Sequence, residues 1–326
     1  MTNFGGVRLH VVSGKGGTGK TTVAAALAVA LAGEGRKVLL VEVEARQGLA
    51  PLFGHPPLPH AETRLARAER GGEVYGLSVD PEQALIEYLE MFYKMGRAGR
   101  VLRRMGAIDF VTTVAPGLRD VLLVGKVKEA VTRRSGAGHA YDAVVLDAPP
   151  TGRIVRFLRA NEEVGHMAKV GPIARQSESV MALLRSSQTA VHLVTLLEEM
   201  PVQETVDGVE EIRKAGLPMG AVVVNKVRES QLGTSDLDAA LHGRLDRRRL
   251  GSALKKVGLT TDTEAIDVLV VEAREHAERV LLQQAERAEL EQLGVPLVDL
   301  PLVPHSIDLG TLRLLAAELV AAEPAT

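Results

Sequence analysis

Eight consecutive residues, Gly14-Lys15-Gly16-Gly17-Thr18-Gly19-Lys20-Thr21, carry the clearest chemistry in this chain. They fit the phosphate-binding pattern G-x-x-x-x-G-K-[ST] at every fixed position. The glycines let backbone N–H groups turn inward around an anion, in conformations that a Cβ obstructs. The Lys20 ammonium is suited to neutralise β- and γ-phosphates, and the Thr21 hydroxyl is suited to ligate Mg²⁺. An apolar run, Val7–Val12, precedes the loop, and a helical stretch starts at Thr21 and Thr22. The strand and helix that the pattern requires are therefore present, with the positive end of the helix dipole aimed at the phosphates.

The elements that must hold this loop recur along the chain. Short apolar runs at Val7–Val12, Val38–Val43, Val74–Val79, Ala143–Asp147, Ala190–Thr195, Ala221–Asn225 and Pro296–Leu300 read as strands. Most are apolar throughout, as expected for strands covered on both faces. Helical stretches lie between them at Thr21–Ala32, Pro116–Arg133, Pro201–Ala215, Thr263–Leu293 and from Leu309 onward. This alternation predicts a single α/β domain over residues 1–326, with a mostly parallel central sheet and helices on both faces. Three helical insertions are expected, near 81–115, 160–187 and 229–260. Pro81–Gly106 and Glu162–Ser186 carry five of the eight methionines and could form a small helical subdomain beside the sheet. The basic run Arg247–Arg249 in the third insertion reads as a solvated helix face.

Composition removes several functional classes. With 39 basic and 41 acidic residues the net charge is −2, which gives no general attraction to nucleic acid or anionic membrane. Aromatics are 3% of the chain, a poor supply for base stacking. There is no cysteine, which excludes disulfides and thiolate metal sites. No apolar stretch is long enough to cross a bilayer, and no leader peptide is recognisable at Met1. A cytoplasmic protein without an integral membrane segment is expected.

Lys15, directly after the first glycine, resembles the extra lysine of a variant phosphate loop found in the SIMIBI class of P-loop NTPases. Within that class the chain resembles the ArsA type, which includes arsenite-pump ATPases and guided-entry ATPases for tail-anchored proteins. The match is clearest at Tyr141-Asp142-Ala143-Val144-Val145-Leu146-Asp147-Ala148-Pro149-Pro150-Thr151-Gly152, continuing to Arg156-Phe157-Leu158. Asp80-Pro81, Pro116-Gly117, Glu204-Thr205 and Asn225 extend it. Val38–Phe53 with Pro116–Glu129 is similar to the paired, unequal ArsA-like ATPases of actinobacteria.

The resemblance implies an ATP-binding, ATP-hydrolysing protein that uses Mg²⁺ and works as a nucleotide-switched dimer, either a homodimer or a heterodimer with a paralogue. It implies a protein client or membrane-linked partner. Lys15 would reach across the dimer to the partner's phosphates. Asp147 would hold a water of the Mg²⁺ shell, and Pro150-Thr151-Gly152 would sense the γ-phosphate. Asn225 would contact adenine, with Pro301 opening the loop over the other side of the base. The first switch departs from the family: Glu44 stands where an aspartate orients the attacking water, and glutamate is one methylene longer. Arg153 replaces the usual histidine. Lack of cysteine separates the chain from thiol-based metalloid binding and from a Cys-x-x-Cys zinc dimer site. Two other readings stay open: a positioning ATPase of the ParA/MinD sort, and a nucleotide-binding subunit whose paralogous partner carries catalysis. The first is disfavoured because 308–326 has one arginine and three acidic residues, unlike a basic membrane helix.

Overall fold

The computed structural model describes residues 4, 6–44, 47–80, 84, 116–167, 172–259 and 261–322. Ten strands are found among them: β1 (Leu9–Gly14), β2 (Lys37–Glu42), β3 (Thr63–Arg67), β4 (Glu73–Ser78), β5 (Arg134–Ser135), β6 (Gly138–His139), β7 (Ala143–Asp147), β8 (Thr189–Thr195), β9 (Met219–Val227) and β10 (Leu297–Pro301). Eight of them form one sheet in the order β10-β9-β8-β1-β7-β2-β4-β3, and β5 pairs with β6 apart from it. Every pairing in the large sheet is parallel except β3 against β4. Each apolar run read from the sequence is a strand, with ends displaced by at most two residues. Within the large sheet β3 is the strand without such a run: it buries only Leu65 and lies at an edge.

The α-helices among the described residues are α1 (Lys20–Gly33), α2 (Leu49–Leu52), α3 (Pro116–Thr132), α4 (Thr151–Met167), α5 (Pro172–Leu184), α6 (Glu199–Lys214), α7 (Thr234–Leu241), α8 (Arg247–Lys256), α9 (Thr263–Glu291) and α10 (Leu309–Ala321). Alternate strand residues feed two cores. Leu9, Leu39, Val144, Val191 and Val222 face α3 to α6, while Val12, Leu40, Val145, Val194 and Val223 face α1 and α10. Two-sided burial explains why these strands are apolar without alternation. α1 is alanine-rich and buried all round, because it lies between the sheet and α10.

Of the expected helical layer beside the sheet, α5 is described: its Val180, Met181 and Leu184 join Phe157 and Leu158 in the first core. Its other expected half, residues 81–115, falls outside the described residues apart from Ala84. Residues 229–259 carry the helices α7 and α8. The carboxyl ends of β1, β2 and β7 lie side by side, with Val12 and Glu42 both in register with Asp147. In an open parallel sheet, ligands bind beyond these ends.

Candidate nucleotide site

The loop between β1 and α1 is shaped by its glycines. Gly14, Gly17 and Gly19 have φ of 153°, 91° and 92°, where side chains are strained. A Cβ on Gly14 would lie 2.2 Å from the Val194 carbonyl oxygen, and one on Gly19 would lie 2.4 Å from Asn225 Nδ2. Gly16 faces open space, so its side of the loop is free for a ligand. Buried Thr18 braces the turn, its hydroxyl donating to the Lys15 carbonyl at 2.9 Å. No side chain caps the start of α1, which leaves its first N–H groups to an anion. Lys20 is largely buried beneath the loop, and Thr22 follows Thr21 in the first turn of α1.

A carboxylate corner lies beside it. Thr21 donates its hydroxyl hydrogen to Asp147 Oδ2 at 2.8 Å. Asp147 Oδ1 is buried and finds no hydrogen-bond partner. Burial pushes the Asp147 carboxyl up to about 6; the charges of Glu42 and Glu44 add to this, while the Thr21 bond and Lys20 oppose it. A buried carboxylate with one unpartnered oxygen beside a hydroxyl is a donor set for a hard divalent cation, and a cation there would oppose the upward shift. The residues therefore fit Mg²⁺.

Glu42 was passed over in the sequence reading, which weighed Glu44 alone as functional. It is buried at the end of β2, and its Oε1 accepts the Gly48 N–H at 2.8 Å. It thus ties the segment after β2 to the carboxylate corner. Its signal was available: like Asp147, it is an acidic residue closing an apolar strand. Glu44, two residues beyond β2, lines a cavity of about 150 Å³ with Arg119, Asp120, Pro149 and Arg153. Burial raises the Asp120 carboxyl despite the neighbouring Arg153 and Arg119 charges.

The segment after β7 is anchored at its start. Ser13 donates to the Pro149 carbonyl at 2.6 Å, and the Ala148 N–H donates to Val12. Pro150 precedes α4, Thr151 is its buried first residue, and Gly152 is exposed with open space around it. The Thr151 hydroxyl is buried without a partner. Asn225 donates an amide hydrogen to the Thr18 carbonyl at 2.8 Å and accepts the Lys226 N–H at 2.9 Å. One amide hydrogen and one lone pair remain for a ligand. Pro301 ends β10 opposite Val227, next to the strand that carries Asn225. Lys15, half-buried after the first glycine of the loop, pairs with Glu204 of α6 in the same chain at 2.9 Å.

These features have counterparts in known proteins. The ATPase BagA of Mycobacterium tuberculosis is 50% identical over 319 residues, covering 98% of this chain and 94% of that protein. The ATPase GET3 of Kluyveromyces lactis is 25% identical over 261 residues, covering 69% and 73% respectively. The profile of the ArsA ATPase family, described as anion-transporting ATPases, matches residues 7–187, which span the phosphate loop, both carboxylates of the corner and the segment after β7. With more than half of its length matched by that profile, this chain belongs to the ArsA family of ATPases.

Proposed function

We propose that the protein binds and hydrolyses ATP with Mg²⁺ and changes conformation with its nucleotide state. The observation that carries this reading is the pairing of a loop of positive-φ glycines with Asp147, whose Oδ2 accepts the Thr21 hydroxyl at 2.8 Å while its buried Oδ1 has no hydrogen-bond partner. Lys20 and the N–H groups opening α1 bind the phosphates. Thr21 and Asp147 hold Mg²⁺, Asp147 through a water. Mg²⁺, when bound, neutralises charge on the β- and γ-phosphate oxygens. Glu44 orients the attacking water from the segment that Glu42 anchors. Thr151 and Gly152, at the start of α4, transmit the presence of the γ-phosphate. Asn225 and Pro301 flank the base.

The nucleotide-competent unit is a dimer with a second copy or a paralogue, in which Lys15 leaves Glu204 and contacts the other subunit's nucleotide. Its output is directed to a protein client or membrane-linked partner. Titration calorimetry with Lys20→Ala tests the site: ATP affinity should fall at least a hundredfold, and parent-like affinity would overturn the assignment. A competition assay tests the base reading. ATP should exclude GTP, since Asn225 is followed by Lys226-Val227-Arg228 and no carboxylate to hold a guanine amine.

A further inference from the structure

Although the chain is nearly neutral, α8 concentrates five Lys/Arg in ten residues with no acidic residue, and it buries none of them. Arg247 pairs with Asp267 of α9, whereas Arg248, Arg249, Lys255 and Lys256 have no acidic partner among the described residues. Of the nearby carboxylates, Asp246 caps α8 and Asp262 caps α9, while Glu264 lies in the first turn of α9 and Glu272 follows Val271. An open cleft of about 470 Å³ lies between the two helices, lined by Arg247, Arg248, Ser252, Lys255, Thr261 and Thr263. The turn leaving α8 holds Val257 and Leu259 outward, 69% and 60% exposed, and Val268 and Val271 are exposed on α9. Single exposed apolar residues are ordinary, but Val257 and Leu259 lie on the turn that joins the two helices of the cationic cleft, between its lining residues Lys255 and Thr261, and together they mark an interaction surface.

We propose that α8, the turn leaving it and the first turns of α9 dock on an anionic lipid surface. Lipid phosphates enter the cleft between α8 and α9, and Val257 and Leu259 enter the interface below the headgroups. Cations with hydroxyl donors match a phosphodiester, and an apolar tip flanked by lysine and arginine is the pattern of interfacial membrane contact. Nucleic acid is the poorer fit, because 229–291 contains no Phe, Tyr or Trp to stack on bases. Contact would be peripheral, since no helix among the described residues is long and apolar enough to span a bilayer. The inference uses none of the nucleotide-site residues and stands apart from that reading.

Cosedimentation of the full chain with phosphatidylcholine vesicles, with and without phosphatidylglycerol, is the test. Binding should require phosphatidylglycerol and weaken as salt rises. Each cation near such a surface is worth about a fivefold change in affinity. Arg248→Glu with Lys255→Glu should therefore weaken binding by at least about 25-fold. Val257→Ser with Leu259→Ser should weaken it while leaving the salt dependence in place. All four positions are on the surface, and unchanged ATP-induced thermal shifts would establish that the variants are folded. No binding to anionic vesicles, or equal binding of parent and charge-reversal variant, would overturn the proposal. So would full displacement by millimolar glycerol phosphate, which would make a free phosphate the ligand, or tighter binding to duplex DNA. A change in self-association of the variants without lipid would reassign the surface to contact between copies of the chain.

Discussion

Ionising Asp147 where it is buried costs about 3 kcal/mol, from a carboxyl raised from 3.8 to about 6 at about 1.4 kcal/mol per unit. Because the folded value lies above the unfolded one, the cost is absent below pH 3.8 and complete above about 6. Asp147→Asn should therefore stabilise the Mg²⁺-free protein by about 2–3 kcal/mol at pH 8, a gain that shrinks toward pH 4. The same variant should lose the tightening of ATP binding by Mg²⁺. Urea denaturation across pH, and calorimetry with and without Mg²⁺, check the two halves. Lys15 contrasts with it: its ion pair with Glu204 is partly exposed and worth at most about 1 kcal/mol, so it exchanges readily for a phosphate. Lys15→Ala should change ATP affinity by less than about threefold and lower turnover in the assembled complex at least about tenfold, the signature of a group acting in the transition state. Single-turnover assays beside equilibrium binding separate these effects.

At the scale of elements, α6 joins two parts of the site. Glu204 and Gly208 are one helical turn apart. Glu204 holds Lys15 of the loop, and Gly208 receives Thr151 at the start of α4. A Cβ on Gly208 would come within 2.5 Å of Thr151 Cγ2, so the two helices can meet only through a glycine. A displacement of α4 by bound γ-phosphate would thus reach α6 and the lysine together. Gly208→Ala should destabilise the fold by about 1–3 kcal/mol through overpacking. Adding Thr151→Ser removes the methyl that is struck and should recover most of the loss. Chemical denaturation of the two single variants and the double variant reads the coupling, and strict additivity would contradict the contact.

For the molecule as a whole, a histidine pair inside the sheet sets the response to acid. His10 of β1 and His192 of β8 are fully buried, stacked, and joined at 3.1 Å. The Ala221 N–H donates to His192 Nδ1, which leaves His192 Nε2 to carry the hydrogen toward His10. Burial holds His192 down at about 4 and His10 well below its ordinary value, the latter helped by His192 beside it. Both folded values lie below the unfolded one, so their stabilisation is complete above about pH 6.5 and declines as pH falls toward 4. Asp147 works in the opposite direction over much the same range. Asp147→Asn should therefore make the protein more acid-sensitive, and His10→Leu less so. Melting temperatures from pH 7.5 to pH 4.5 would show the two slopes diverging from that of the parent.

What the sequence determined by itself is what short stretches of chain decide. The phosphate loop was legible because glycine conformations, a lysine and a helix start act within eight residues. The sheet was legible because strands buried on both faces must be apolar from end to end. The edge strand β3 escaped because an edge buries little. Tertiary structure decided the rest. It set Thr21 against Asp147 across 126 residues and His10 against His192 across 182. It also decided that Glu42 turns back to accept the Gly48 N–H and that Lys15 rests on Glu204. The contacts between distant residues depend on which strands become neighbours in the order β8-β1-β7-β2. Strand order follows from how crossover helices pack on the two faces of the sheet, and no local pattern encodes it.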